Sequence, residues 1–172
     1  MLFRSPYDRP IYLIGDGDDS TSYEEARRSL VRVGLDEVRG SLRGGMRAWT
    51  EAGGEQAQVP QISVEELSQR MRKGAYLLDV RGAGEWASGH IEGATWIMGG
   101  DLEKRVSEVP TDRPVHVVCG GGYRSSVATS VLKRAGLREV VNVTGGMNAW
   151  KQRQLPTVSG QAASASLVQS GA

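Results

Sequence analysis

From residue 63 onward, apolar positions along the chain alternate between two spacings. Ser63 stands before a stretch with Glu66 three residues later, the pattern of a capping box, and predicts a helix to about Lys73. Ala75–Val80 (Ala-Tyr-Leu-Leu-Asp-Val) is a short, nearly unbroken apolar run of the kind found in strands buried on both faces. A short helix over Ala83–Ser88 and a strand over Ala94–Ile97 follow. Asp101–Glu108 is polar, with Leu102 and Val106 four apart, and is expected to be helical. Val115–Val118 reads as a third strand. Ser125–Ala135 reads as a helix with Val127, Val131 and Leu132 on one face, closed by Gly136. Val140–Val143 is the last strand, before a short helix over Met147–Gln152. Strands alternating with helices predict an α/β domain whose open parallel sheet is covered by helices on both faces.

An internal repeat changes how the remainder is parsed. Pro10-Ile11-Tyr12-Leu13-Ile14 echoes Pro114-Val115-His116-Val117-Val118, and Gly34-Leu35-Asp36-Glu37-Val38 echoes Gly136-Leu137-Arg138-Glu139-Val140. Gly44-Gly45-Met46-Arg47-Ala48-Trp49 echoes Gly145-Gly146-Met147-Asn148-Ala149-Trp150. The offset drifts from 104 to 102 to 101, as loop-length differences would produce. The second copy is preceded by Ile62–Thr111, for which the first has no counterpart. The expected organisation is therefore a partial repeat over residues 1–50, a Gly/Gln-rich linker over 51–60, a complete domain over 61–155 and a disordered tail over 156–172. A partial sheet with missing neighbours is expected to self-associate or to be poorly ordered.

Composition narrows the classes. The 172 residues carry 21 basic and 20 acidic side chains, a formal net charge of +1, which points to neither a nucleic-acid nor a membrane partner. No apolar run approaches the roughly 20 residues of a membrane helix, and Met1–Pro6 lacks the apolar stretch of a signal peptide. One cysteine excludes an internal disulfide, so a cytoplasmic location is expected. With one Cys and two His, neither a metal site nor any other cofactor is expected.

The candidate chemistry lies in Cys119-Gly120-Gly121-Gly122-Tyr123-Arg124-Ser125, between a strand and a helix. Glycines let the backbone curl so that several N–H groups face one centre, and the following helix directs its positive end there. Arg124 adds a cation. A thiol in such surroundings ionises more readily than the reference value of about 8.5. A buried, inert cysteine is the plain alternative. Sulfur transfer and phosphate-ester hydrolysis both fit a thiolate in an anion cradle.

Cys119-x-x-Gly122-x-Arg124 resembles the active-site loop of the rhodanese sulfurtransferases, with four residues between Cys and Arg. Related dual-specificity phosphatases of the cell cycle carry a loop one residue longer. Leu78-Asp79-Val80-Arg81, Glu85-Trp86 and Gly89-His90-Ile91-Glu92-Gly93-Ala94 resemble the family's other signature, and Gly145-Gly146-Met147-Asn148-Ala149-Trp150 its closing motif. The resemblance implies a rhodanese fold and a Cys119 persulfide, loaded from thiosulfate or a glutathione-type persulfide and discharged to cyanide, a thiol or another protein. Cys119 and Arg124 are the implied catalytic residues. Gly120, Gly121, Gly122, Tyr123 and Ser125 form the binding loop, and Asp79 and Arg81 support it. The two-domain thiosulfate enzymes carry cationic loop residues where Gly120 and Gly121 stand, and an Arg where Glu85 stands, so a persulfide donor fits at least as well as thiosulfate.

In the first copy Gly15 occupies the position of Cys119, and Gly15–Ser20 holds three aspartates, which implies a catalytically dead half. Such dead-plus-live tandems occur downstream of metallo-β-lactamase-fold persulfide dioxygenases, and Tyr7–Leu13 resembles the entry to the dead module. A longer parent with an upstream dioxygenase is thus implied. Two rivals stand beside sulfur transfer: a module that binds sulfane sulfur or docks without turnover, and a Cys-dependent phosphatase or arsenate reductase. His90 is read as capping a turn, His116 as strand packing, and Asp16–Asp19 as a solvated loop. Trp49, Trp86, Trp96 and Trp150 are read as core or pocket wall.

Overall fold

The computed structural model describes residues 9–15 and 20–160, which fall into two compact units divided along the chain between Gln58 and Val59. The larger unit holds β3 (Gln61–Ile62), α3 (Val64–Met71), β4 (Tyr76–Asp79), α4 (Ala83–Ala87), β5 (Thr95–Trp96), β6 (Val115–Val118), α5 (Tyr123–Arg134), β7 (Val140–Val143) and α6 (Gly146–Gln152). Its five strands form one parallel sheet in the order β3-β7-β6-β4-β5.

The apolar strand runs are continuous because both faces of this sheet are covered. Successive residues point to opposite sides. Leu78, Val117 and Val140 pack with Leu102, Ala128 and Leu132 on the α5 face. Leu77, Val118 and Val141 pack with Leu67, Met147 and Trp150 on the face of α3 and α6. The ladder runs Leu77 to His116 to Val141, so β6 sits at the centre with its chain neighbours fully paired. Cys119 follows its last residue and is itself 1% exposed.

Ser63 caps α3, its hydroxyl accepting the Glu66 amide at 3.2 Å, while the Glu66 carboxylate turns outward to pair with Arg70. Asp101–Glu108 is not the expected helix. It forms two 3-10 turns, Gly99–Asp101 and Val106–Glu108, around a single fully buried anchor, Leu102. The Gly99-Gly100 start supplies no side-chain cap, and Arg105 leaves helical geometry at φ −113°. α5 begins at Tyr123, two residues before the expected start, because Gly122 at φ 96° already turns the chain into it.

The chain beyond Leu155, expected to be a tail, stays bonded to the domain as far as Gly160. His90 and Val158 exchange two backbone hydrogen bonds of 2.8 and 2.9 Å, and Trp150 Nε1 donates to Pro156 O. Residues 161–172 lie outside the described residues, as do Asp16, Gly17, Asp18 and Asp19.

The smaller unit pairs β1 (Ile11–Leu13) with β2 (Val38–Ser41) in parallel and carries α1 (Ser20–Val31) and α2 (Gly45–Glu51). Trp49, expected in a core, is 41% exposed, its indole N–H bonded to Glu55 O. A two-stranded sheet gives it no second layer to enter. Tyr12 and Ile14 are exposed too. No helix among the described residues is long and apolar enough to cross a membrane.

Candidate active site

The carboxyl ends of β4, β6 and β7 lie side by side, and the loops that follow them meet over Cys119. Gly122 N–H donates to Cys119 Sγ at 3.2 Å, and the Ser125 hydroxyl faces the same sulfur at 3.4 Å while bonded to Gly122 O. The loop is anchored from the opposite side by α6: Met147 N–H donates to Cys119 O (2.7 Å) and Asn148 N–H to Gly120 O (2.8 Å). Gly146 makes this possible. A Cβ there would lie 2.3 Å from Cys119 O and 2.7 Å from Gly120 O, so only glycine lets α6 meet the loop backbone.

Burial pushes the Cys119 thiol up. The Ser125 hydroxyl and amide, then the Gly122 and Gly121 amides, outweigh it and bring the thiol below its ordinary value. A sulfur so placed ionises more readily than an ordinary thiol, with N–H and O–H donors positioned to hold added negative charge.

Arg124 does not point freely into the loop. Its guanidinium makes a two-pronged pair with Glu85, Nη1 to Oε2 at 2.6 Å and Nη2 to Oε1 at 2.7 Å. The Glu85 bond raises the guanidinium further above its usual value, and the same bond from Arg124 holds the Glu85 carboxyl low. The pair lies over Gly120, where a Cβ would meet Arg124 Nη2 at 2.8 Å and Glu85 Oε1 at 3.6 Å.

Beneath it, Arg81 and Asp79 form a buried ion pair. Arg81 Nε reaches both Asp79 oxygens (3.0 and 2.8 Å) and Nη2 reaches Oδ2 (2.6 Å). Its Nη1 also donates to Glu85 O and its Nη2 to Gly89 O, which pins the turn carrying Glu85. Trp96 Nε1 donates to Arg81 O.

Residues 63–153 match the rhodanese-like domain family. The chain belongs to that family. A sulfurtransferase of Allochromatium vinosum is 37% identical over 103 residues, covering 59% of this chain and 96% of that protein. YrkF of Bacillus subtilis is 35% identical over 112 residues, covering 61% of this chain but only 60% of its own length. The crystal structure of a rhodanese-related protein from Thermoplasma volcanium superposes with a TM-score of 0.54 at 29% identity, covering 58% of this chain and 97% of that one.

Within the rhodanese unit, Cys119, Gly122 and Ser125 come together at the sulfur, with the Gly121 amide among the groups that lower the thiol. Gly120 is the floor under the Arg124–Glu85 pair. Tyr123 opens α5 and is 83% exposed. Asp79 and Arg81 stand behind α4 rather than at the sulfur. His90 stacks on Trp86 with ring centroids 3.6 Å apart and bonds Trp86 O, as a turn cap would. His116 bonds Tyr76 O and Arg70 at the other end of β6. Among the described residues no group of three or more His, Cys, Asp or Glu gathers as a metal site. Sequence reasoning missed the two α6 amides; the Gly-Gly pair at 145–146 was their signal, since adjacent glycines permit both positive φ and the close backbone approach seen at Gly146.

Proposed function

We propose that the protein is a sulfurtransferase that carries sulfane sulfur on Cys119. The observation that carries this is the sulfur's setting: a buried cysteine at the end of β6 whose Sγ faces the Gly122 N–H at 3.2 Å and the Ser125 hydroxyl at 3.4 Å. The Cys119 thiolate attacks the outer sulfur of thiosulfate, a Cys–S–S⁻ bond forms, and sulfite leaves with the electron pair of the broken S–S bond. From a thiol persulfide the same attack releases the donor thiolate. The Gly122 amide and Ser125 hydroxyl then face the persulfide. A cyanide or thiolate acceptor takes the outer sulfur and returns the electron pair to Cys119.

The test is intact-protein mass spectrometry of wild type and Cys119→Ser after incubation with thiosulfate or glutathione persulfide. Gain of one sulfur by wild type alone, lost on adding cyanide or a thiol, is the expected result. A gain that resists both acceptors would mean a sulfane-sulfur-binding module. No gain from either donor would refute sulfur transfer, and turnover of an aryl phosphate would replace it with phosphatase chemistry.

We infer also that residues 10–50 repeat the back half of the rhodanese unit without its thiol. Support comes from matched hydrogen bonds at matched positions. Met46 N–H donates to Gly15 O as Met147 N–H does to Cys119 O, and Ile11 N–H to Glu37 O as Val115 N–H does to Glu139 O. Trp49 and Trp150 each donate to a carbonyl six residues on. With Gly15 in the cysteine's place, this half carries no persulfide.

A further inference from the structure

The loop around Cys119 has two features with opposite electrostatic consequences. The donors bonded to the sulfur are neutral, an amide at 3.2 Å and a hydroxyl at 3.4 Å, and the Arg124 guanidinium acts on it as well, more weakly than on Glu85. Its neighbouring cation is neutralised, because both forward N–H groups of Arg124 are spent on both oxygens of Glu85. The Glu85 carboxylate is anchored in turn by Gly82 N–H at 3.2 Å, so the pair is held from both ends. Gly120 and Gly121 put no side chain between the pair and the sulfur. The next guanidinium inward, Arg81, is matched by Asp79 and buried. A donor approaching Cys119 therefore meets hydrogen-bond donors but no net positive charge from these groups.

We propose that Glu85 is a specificity-determining residue that sets the charge of the sulfur donor, positioning and neutralising Arg124 so that singly charged or neutral persulfides are favoured over dianions. This rests on the sulfur-transfer reading of the site. Thiosulfate brings two negative charges and releases a dianionic sulfite next to a carboxylate. A thiol persulfide brings at most one charge on its reacting sulfurs, and releases a thiolate that water can protonate. The hydrogen bonds at Cys119 serve both donors equally, so the difference falls on the Glu85–Arg124 pair.

The experiment compares two donors that share a sulfane sulfur on an oxidised sulfur but differ in charge. Thiosulfate is a dianion; an alkanethiosulfonate is a monoanion, and gives the same Cys119 persulfide with a sulfinate leaving group. Both are measured on wild type and Glu85→Gln, whose amide oxygen keeps an acceptor for Arg124 and Gly82 while the charge is removed. Removing one negative charge near the leaving group raises the thiosulfate-to-thiosulfonate ratio of kcat/KM by about fivefold at low ionic strength. Added salt should erase that gain. An unchanged ratio, or an equal loss on both donors, would show that Glu85 merely braces the loop and would overturn the proposal while sulfur transfer stands. If mass spectrometry shows neither donor loading wild-type Cys119, the sulfur-transfer reading fails and this proposal falls with it.

Discussion

Replacing Gly146 by alanine places the heaviest demand on the structure, because one methyl group must fit between two segments of backbone. The added Cβ would stand 2.3 Å from Cys119 O, 2.7 Å from Gly120 O and 2.9 Å from Gly120 C. None of these is the end of a flexible side chain, so the overlap is relieved only by moving α6 away from the loop. That separation breaks Met147 N–H to Cys119 O and Asn148 N–H to Gly120 O, each worth about 1 kcal/mol net. The φ of +52° adds about 1–2 kcal/mol for any residue with a Cβ. The sum is about 3–4 kcal/mol, which lowers the thermal midpoint of a unit this size by roughly 15 °C or more.

The assay is urea denaturation followed by Trp fluorescence, with Gly84→Ala as the comparator. Gly84 lies inside α4 with open space where its Cβ would be, so the same substitution there should stabilise by about 0.5–1 kcal/mol. Opposite signs at the two glycines are the expected outcome. Cys119 alkylation by iodoacetamide supplies a second reading, since a loop freed from α6 should lose its hold on the thiol. Gly146→Ala within about 1 kcal/mol of wild type, with alkylation unchanged, would refute the view that α6 fixes the loop.

Two more outcomes follow from the same geometry. Ser125→Ala removes the hydroxyl that faces Cys119 Sγ at 3.4 Å, the largest of the contributions holding the thiol low; with a higher thiol pKa, less thiolate exists at neutral pH. The alkylation rate there should drop several-fold and the rising limb of its pH profile should move alkaline, while an unmoved limb would assign the lowered thiol to the amides alone. Asp79→Asn leaves the Arg81 guanidinium buried without its counter-charge, and should cost about 3–5 kcal/mol in urea denaturation. The double variant with Arg81→Met should cost less than the two singles added together, and strict additivity would rule out a coupled pair.

What was legible in the sequence is what depends on near neighbours. The Ser63 cap, the buried runs at 76–79, 115–118 and 140–143, and the strand-to-helix turn at Cys119 each follow from residues within one turn or one strand. The Asp101–Glu108 segment failed for the complementary reason: its form is decided by seating Leu102 in the core, and spacing alone cannot weigh that against helix propensity. Trp49 has the same local surroundings as Trp150, down to the carbonyl six residues on, yet one is exposed and the other 2% exposed. Only the presence of a second layer separates them. Pro156–Gly160 was misjudged because composition carries no trace of the His90–Val158 pairing.

The same division runs through the site. Cys119, Gly122 and Ser125 could be read together because they lie within seven consecutive residues, and the loop's donors act on the sulfur across that short span. Arg124 reads from its place in the loop as a cation for the anion cradle, whereas its two-pronged partner is Glu85, 39 residues earlier. That pairing depends in turn on Arg81 bonding the Glu85 carbonyl from below, so a buried ion pair with no contact to the sulfur helps fix the charge above it. Amide and hydroxyl donors at the sulfur, beside an Arg124 whose charge is compensated by Glu85, form a site whose hold on negative charge is local rather than long-ranged. Under the proposed chemistry, such a site favours a donor whose single charge lies on the sulfur that the loop already faces over one that brings a second charge up to the Glu85 carboxylate.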